Sequence, residues 1–85
     1  MKHAGPDALA GIEALLVELR HREALKEKRP GVFYLKSKAF LHFHEDPKGL
    51  FADVRIADDF VRLPVSTDRQ RGRLLRKLNQ RLRER

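Results

Sequence analysis

The stretch from Val32 to Pro64 does most to constrain the fold. Apolar and polar residues alternate there in short runs, each cut off by turn-forming residues. A period of two sends successive side chains to opposite faces of a strand. The spacing predicts strands over 32–36, 39–45, 50–57 and 60–64. Ser37-Lys38, Asp46-Pro47-Lys48-Gly49 and Asp58-Asp59 lie between them, at hairpin lengths. Four hairpin-linked strands make an antiparallel meander.

On either side of this stretch the period changes. Leu9, Ile12, Leu15, Leu16 and Leu19 recur at three- and four-residue spacing, which is one apolar stripe of a helix. The pattern predicts a helix over 7–28, stopped by Pro30-Gly31. Leu74, Leu75, Leu78 and Leu82 form a second stripe and predict a helix over 67–84. Thr67 and Gln70 stand at capping-box spacing at its start. At 85 residues the chain reads as one domain, 1–85. The expected fold is α+β: a two-layer sandwich of helix, four-stranded antiparallel meander and helix, with both helices on one sheet face. Its core is expected around Leu15, Leu19, Leu41, Phe43, Val54, Ile56 and Leu78.

Composition narrows the function classes. The chain has no Cys, so it holds neither a disulfide framework nor a thiolate zinc site. No run is long enough to span a bilayer, and the first residues lack the apolar segment of a secretory signal. The expectation is a cytoplasmic protein with no membrane partner. The net charge of +7 gathers at the end of the chain. Arg69, Arg73, Arg76, Lys77 and Arg81 would form a basic helix face. Such a face attracts nucleic acid or an acidic protein, or simply faces water.

The hairpin turns also set a register. Pairing Glu45 with Leu50 brings His42 opposite Asp53 and Leu41 opposite Val54. Pairing Ala57 with Phe60 sets Arg55 against Arg62, and pairing Lys36 with Ala39 sets Phe33 against His42. One face is then nearly all apolar and would lie under the helices. The other carries Phe33, Phe40, Phe51, Phe60, His42, His44, Asp53, Arg55 and Arg62 with no helix left to cover it. Exposed aromatic area on this scale marks a binding surface. A two-fold mate is the common way to cover it.

Three functional readings compete. The first is a small non-catalytic binding or assembly module that uses the open face as a homodimer. The second is nucleic-acid binding, with bases stacked on Phe and phosphates held by Arg and the basic helix. The third is a metal site. His42 and His44 share a face, and Asp53 is opposite His42, so the three would hold Zn²⁺ or Fe²⁺. The competing reading of these residues is metal-free, with Asp53 orienting His42 in an interface. Arg55 and Arg62 would answer each other's charge through Asp53, through a bound anion, or by splaying into water. Catalysis has little to build on, because no Cys nucleophile, nucleophile elbow or phosphate loop is present.

The segment Ala39-Phe40-Leu41-His42-Phe43-His44-Glu45-Asp46, with Gly49-Leu50-Phe51-Ala52-Asp53-Val54-Arg55-Ile56 after it, resembles the small bacterial domains known as luciferase-domain-like. His42, His44, Gly49 and Asp53 match their H-x-H strand, glycine turn and Asp-bearing strand. The resemblance covers the middle third of the chain and implies no activity, so light emission does not carry over. At the level of fold alone, helix–meander–helix is also similar to frataxin-like domains. This chain departs from those in its non-acidic helices and shorter sheet.

Overall fold

The computed structural model describes residues 2–83. The element order is β1 (Lys2–His3), α1 (Pro6–Ala10), α2 (Glu13–Arg20), β2 (Leu25–Arg29), β3 (Val32–Leu35), β4 (Lys38–Asp46), β5 (Gly49–Ile56), β6 (Asp59–Pro64) and α3 (Asp68–Arg83). The fold is α+β with one antiparallel sheet. Five strands run in the order β2-β3-β4-β5-β6, and β1 pairs with β4 beyond the end of β3. No helix among the described residues is long and apolar enough to cross a membrane.

The predicted first helix is corrected in two ways. It breaks at Gly11-Ile12 into α1 and α2, although the whole stripe Leu9, Ile12, Leu15, Leu16 and Leu19 is buried as one core surface. It also ends at Arg20, and Leu25–Arg29 is a strand. Pro30-Gly31 therefore closes a hairpin between β2 and β3 and does not stop a helix. Pro presets the first central turn position, and Gly31, at φ +77°, supplies the left-handed second one. As an outer strand, β2 buries only Leu25 and leaves Lys26, Lys28 and Arg29 in water. Charged edges of this kind resist pairing with other chains. Arg20 of α2 grips Glu27 of β2 at 2.7 and 3.2 Å, which ties helix to edge strand.

β4 and β5 pair in the register the turn predicts, with His42 opposite Asp53 and Leu41 opposite Val54. The other two hairpins differ. β5 and β6 pair Ile56 with Asp59, so Arg55 meets Phe60 and Asp53 meets Arg62. The turn begins one residue earlier than predicted, which slides the pairing by two positions and leaves each side chain on its face. β3 and β4 carry a bulge that changes the register between Phe33 and Tyr34. Phe33 now opposes Leu41, and both Phe40 and Leu41 turn inward. A bulge inserts one unpaired residue and so switches the face of the strand residues beyond it.

The core joins α1, α2 and α3 to one sheet face, with Phe33, Phe40, Leu41, Phe43, Val54, Leu74 and Leu78 almost wholly buried. Ile56, expected at its centre, is only half-buried and packs against its margin. The capping box forms as its spacing predicts. Gln70 N–H donates to Thr67 Oγ1, and Gln70 Oε1 accepts from the N–H groups of Thr67 and Ser66. The helix predicted over 67–84 runs as far as Arg83, and position 84 lies outside the described residues.

Candidate functional site

The sheet face away from the helices gathers the imidazoles. His42 and His44 project from β4 two residues apart, so the pleat sends both to this side. β1 adds a third, because His3 pairs directly with His44. The N-terminal segment is pinned by two bonds. Ala4 N–H donates to the Phe43 carbonyl at 3.0 Å, and Gly5 N–H donates to Glu45 Oε2 at 2.7 Å. Glu45 thus fastens the strand that carries His3.

One ring nitrogen from each of His3, His42 and His44 lies within 4.8 Å of the other two. The ring centroids stand 4.8–5.5 Å apart. His42 Nδ1 and His44 Nε2 are buried without a hydrogen-bond partner among the described residues. His44 Nε2 is 3.1 Å from Asp53 Oδ2, but the alignment is too poor for a hydrogen bond. Buried polar nitrogens usually have a partner, so two orphans in one imidazole cluster call for an explanation.

Asp53 is the one charged residue buried among those described, at 8% exposure. The Arg62 guanidinium closes on both its oxygens, with Nε at 2.7 Å from Oδ1 and Nη2 at 2.8 Å from Oδ2. That bidentate bond is the main reason its carboxyl is held below the usual aspartate range, against a burial effect that raises it. The same bond raises Arg62. His42 is pushed below the usual histidine range, first by burial and then by His44. The ring is thereby kept neutral, with a lone pair free to donate.

The predicted residues separate into groups. His42, His44, Phe51, Asp53, Arg55, Phe60 and Arg62 share the open side of the sheet. Phe33 and Phe40, expected beside them, are 0% and 1% exposed in the core because of the bulge. Arg55 does not face Arg62. It lies over the Phe60 ring at 4.5 Å and donates to the carbonyls of Ala39 and Asp58. Arg69, Arg73 and Arg76 are exposed on α3, with Lys77 and Arg81 half-buried. That helix packs on the opposite face of the sheet from the histidines. The basic helix and the Phe/Arg face therefore meet only at one end of the sheet, where Arg81 and Arg55 line a common cavity.

Sequence reasoning missed His3. The signal available was an imidazole one short strand ahead of a proline-started helix, and strands of two residues leave no periodicity to read. No family model, curated protein or solved structure matches the chain.

Proposed function

We propose that this protein is a small metal-binding domain whose site is His3, His42 and His44 on the open sheet face. The observation that carries this reading is the convergence of three imidazoles, two of them with a buried ring nitrogen that no described residue satisfies. Imidazole donors without thiolates suit Zn²⁺ or Fe²⁺. A tetrahedral ion bound at 2.0–2.1 Å needs donors roughly 3.3 Å apart. The three donor nitrogens lie within 4.8 Å of one another, and rotation of the rings about their side-chain torsions supplies the remaining approach. Asp53 changes role from the sequence-based expectation. Its oxygens are engaged by Arg62, and Oδ2 stands 3.1 Å from His44 Nε2, so it acts as a fixed negative charge beside the cluster and not as a ligand. Three protein donors leave a coordination position open, and the bound ion can take a ligand from outside.

Thermal unfolding with added Zn²⁺ tests this reading. At a hundredfold excess over the dissociation constant the melting temperature rises by roughly 10–20 °C. His42→Ala, His44→Ala and His3→Ala each abolish most of that rise. A melting temperature that Zn²⁺ and Fe²⁺ both leave unmoved overturns the proposal.

A second reading, self-association, rests on β6. This outer strand is exposed along most of its length, and Phe60 and Val61 are each 39% exposed on it. An uncovered edge with apolar residues invites pairing with a second copy. The case from the aromatic face is weaker than the sequence implied, since Phe33 and Phe40 are no longer part of it. Light scattering at high protein concentration decides: a dimer dispersed by Val61→Lys supports the reading, and a strict monomer removes it.

A further inference from the structure

Away from the histidine cluster, the β3–β4 turn and Arg55 of β5 meet Arg81 in the last turn of α3 at one end of the sheet. A cavity of about 210 Å³ opens there. Lys36, Lys38, Arg55 and Arg81 line it, Leu35 and Phe40 supply its apolar wall, and no carboxylate is in the lining. We propose that this cavity is an anion site for a phosphate monoester, separate from the imidazole cluster and independent of it.

Three observations support the proposal. The first is charge balance. Arg20, Arg22, Arg62 and Arg71 are each paired with a carboxylate. The side chains of Lys36, Lys38 and Arg81 have no ion pair or hydrogen bond among the described residues, although they share one cavity. Four cations around one cavity with no carboxylate in its lining give it a positive field that favours a dianion. The second is preorganisation. Arg55 is fixed by bonds to the Ala39 carbonyl at 2.9 Å and the Asp58 carbonyl at 3.3 Å, and by its place over Phe60. A fixed guanidinium loses little freedom on gripping an oxyanion. The third is the turn itself. Lys36 and Ser37 both hold positive φ, at 51° and 72°. This turn conformation favours Asn-Gly, yet a lysine occupies it at the cavity's rim. Left-handed backbone at non-glycine residues clusters at ligand sites. The apolar wall of Leu35 and Phe40 adds a preference for an ester over the free ion.

Nuclear magnetic resonance titration of the full chain at physiological salt, with inorganic phosphate and with phenyl phosphate, tests the site. The expected result is saturable shifts at Lys38, Ala39 and Arg55, with phenyl phosphate binding more tightly than inorganic phosphate. Arg81→Gln and Lys38→Gln should each weaken binding about tenfold. Arg69→Gln removes the same charge from the other end of α3 and should change it less than about twofold. Arg55 also bonds the backbone, so Arg81→Gln and Lys38→Gln carry the test without threatening the fold. Absence of saturable shifts overturns the proposal. So does an equal loss in Arg69→Gln, which would mean a diffuse basic field and not a site.

Discussion

Arg62 closes on Asp53 with two bonds of 2.7 and 2.8 Å, across neighbouring strands, where Asp53 is 8% exposed. This clamp keeps a buried carboxylate ionised beside three imidazoles, and it withholds that carboxylate from direct use as a ligand. Arg62→Met leaves Asp53 without its main partner. The metal-free protein should lose about 1–3 kcal/mol in urea denaturation. Zn²⁺ should then restore more stability than it adds to the parent, because a released carboxylate becomes an extra donor. A variant as stable as the parent without metal would show that the clamp is incidental.

The aromatic residues divide by burial. Phe33→Ala and Phe40→Ala each remove a ring from the packed core, at about 3–5 kcal/mol. Phe60, at 39% exposure on the outer strand, should cost less than about 1 kcal/mol on truncation. Equilibrium denaturation of the three variants checks the order. The reverse order would return Phe33 and Phe40 to the open face.

That division also shows how far the sequence could be read. The β4–β5 register came from the Asp46–Gly49 turn, and with it the shared face of His42, His44 and Asp53. The helical stripe from Leu9 to Leu19 was legible because burial enforces its period, even though the helix breaks at Gly11. Leu25–Arg29 was not legible: an outer strand that buries one residue carries no strand pattern, and its charged residues extend a helical one. The bulge near Ala39 was invisible too, since an extra residue leaves no mark in composition, yet it moved two phenylalanines across the sheet. His3 joined the cluster only through a long-range pairing fixed by Glu45.

Gly31 tests the β2–β3 hairpin. Its φ is +77°, and a Cβ there would sit 2.8 Å from Leu9 Cδ2. Gly31→Ala combines left-handed strain with a clash against α1, and should cost about 1–3 kcal/mol. A chemical denaturation midpoint equal to the parent's would contradict the turn.

Glu27 carries a pH signature. Its carboxyl is held below the usual glutamate range, first by the Arg20 bond and further by the Gly31 N–H. A depressed folded value means that the unfolded chain binds the proton more readily. The stabilisation is therefore complete above about pH 4.5 and fades as pH falls through the lower folded value. Glu27→Gln should lose about 1 kcal/mol or less at neutral pH, given the exposed partner. The gap to the parent should close in acid. A gap that stays constant down to pH 2 would rule out the ionised pair as its source.

X-ray absorption at the zinc edge of the loaded protein, one ion per chain, counts the imidazoles around the ion. Three imidazole ligands at about 2.0 Å are expected, falling to two in His3→Ala. A spectrum with one imidazole or none, or one unchanged by His3→Ala, would contradict the three-histidine site.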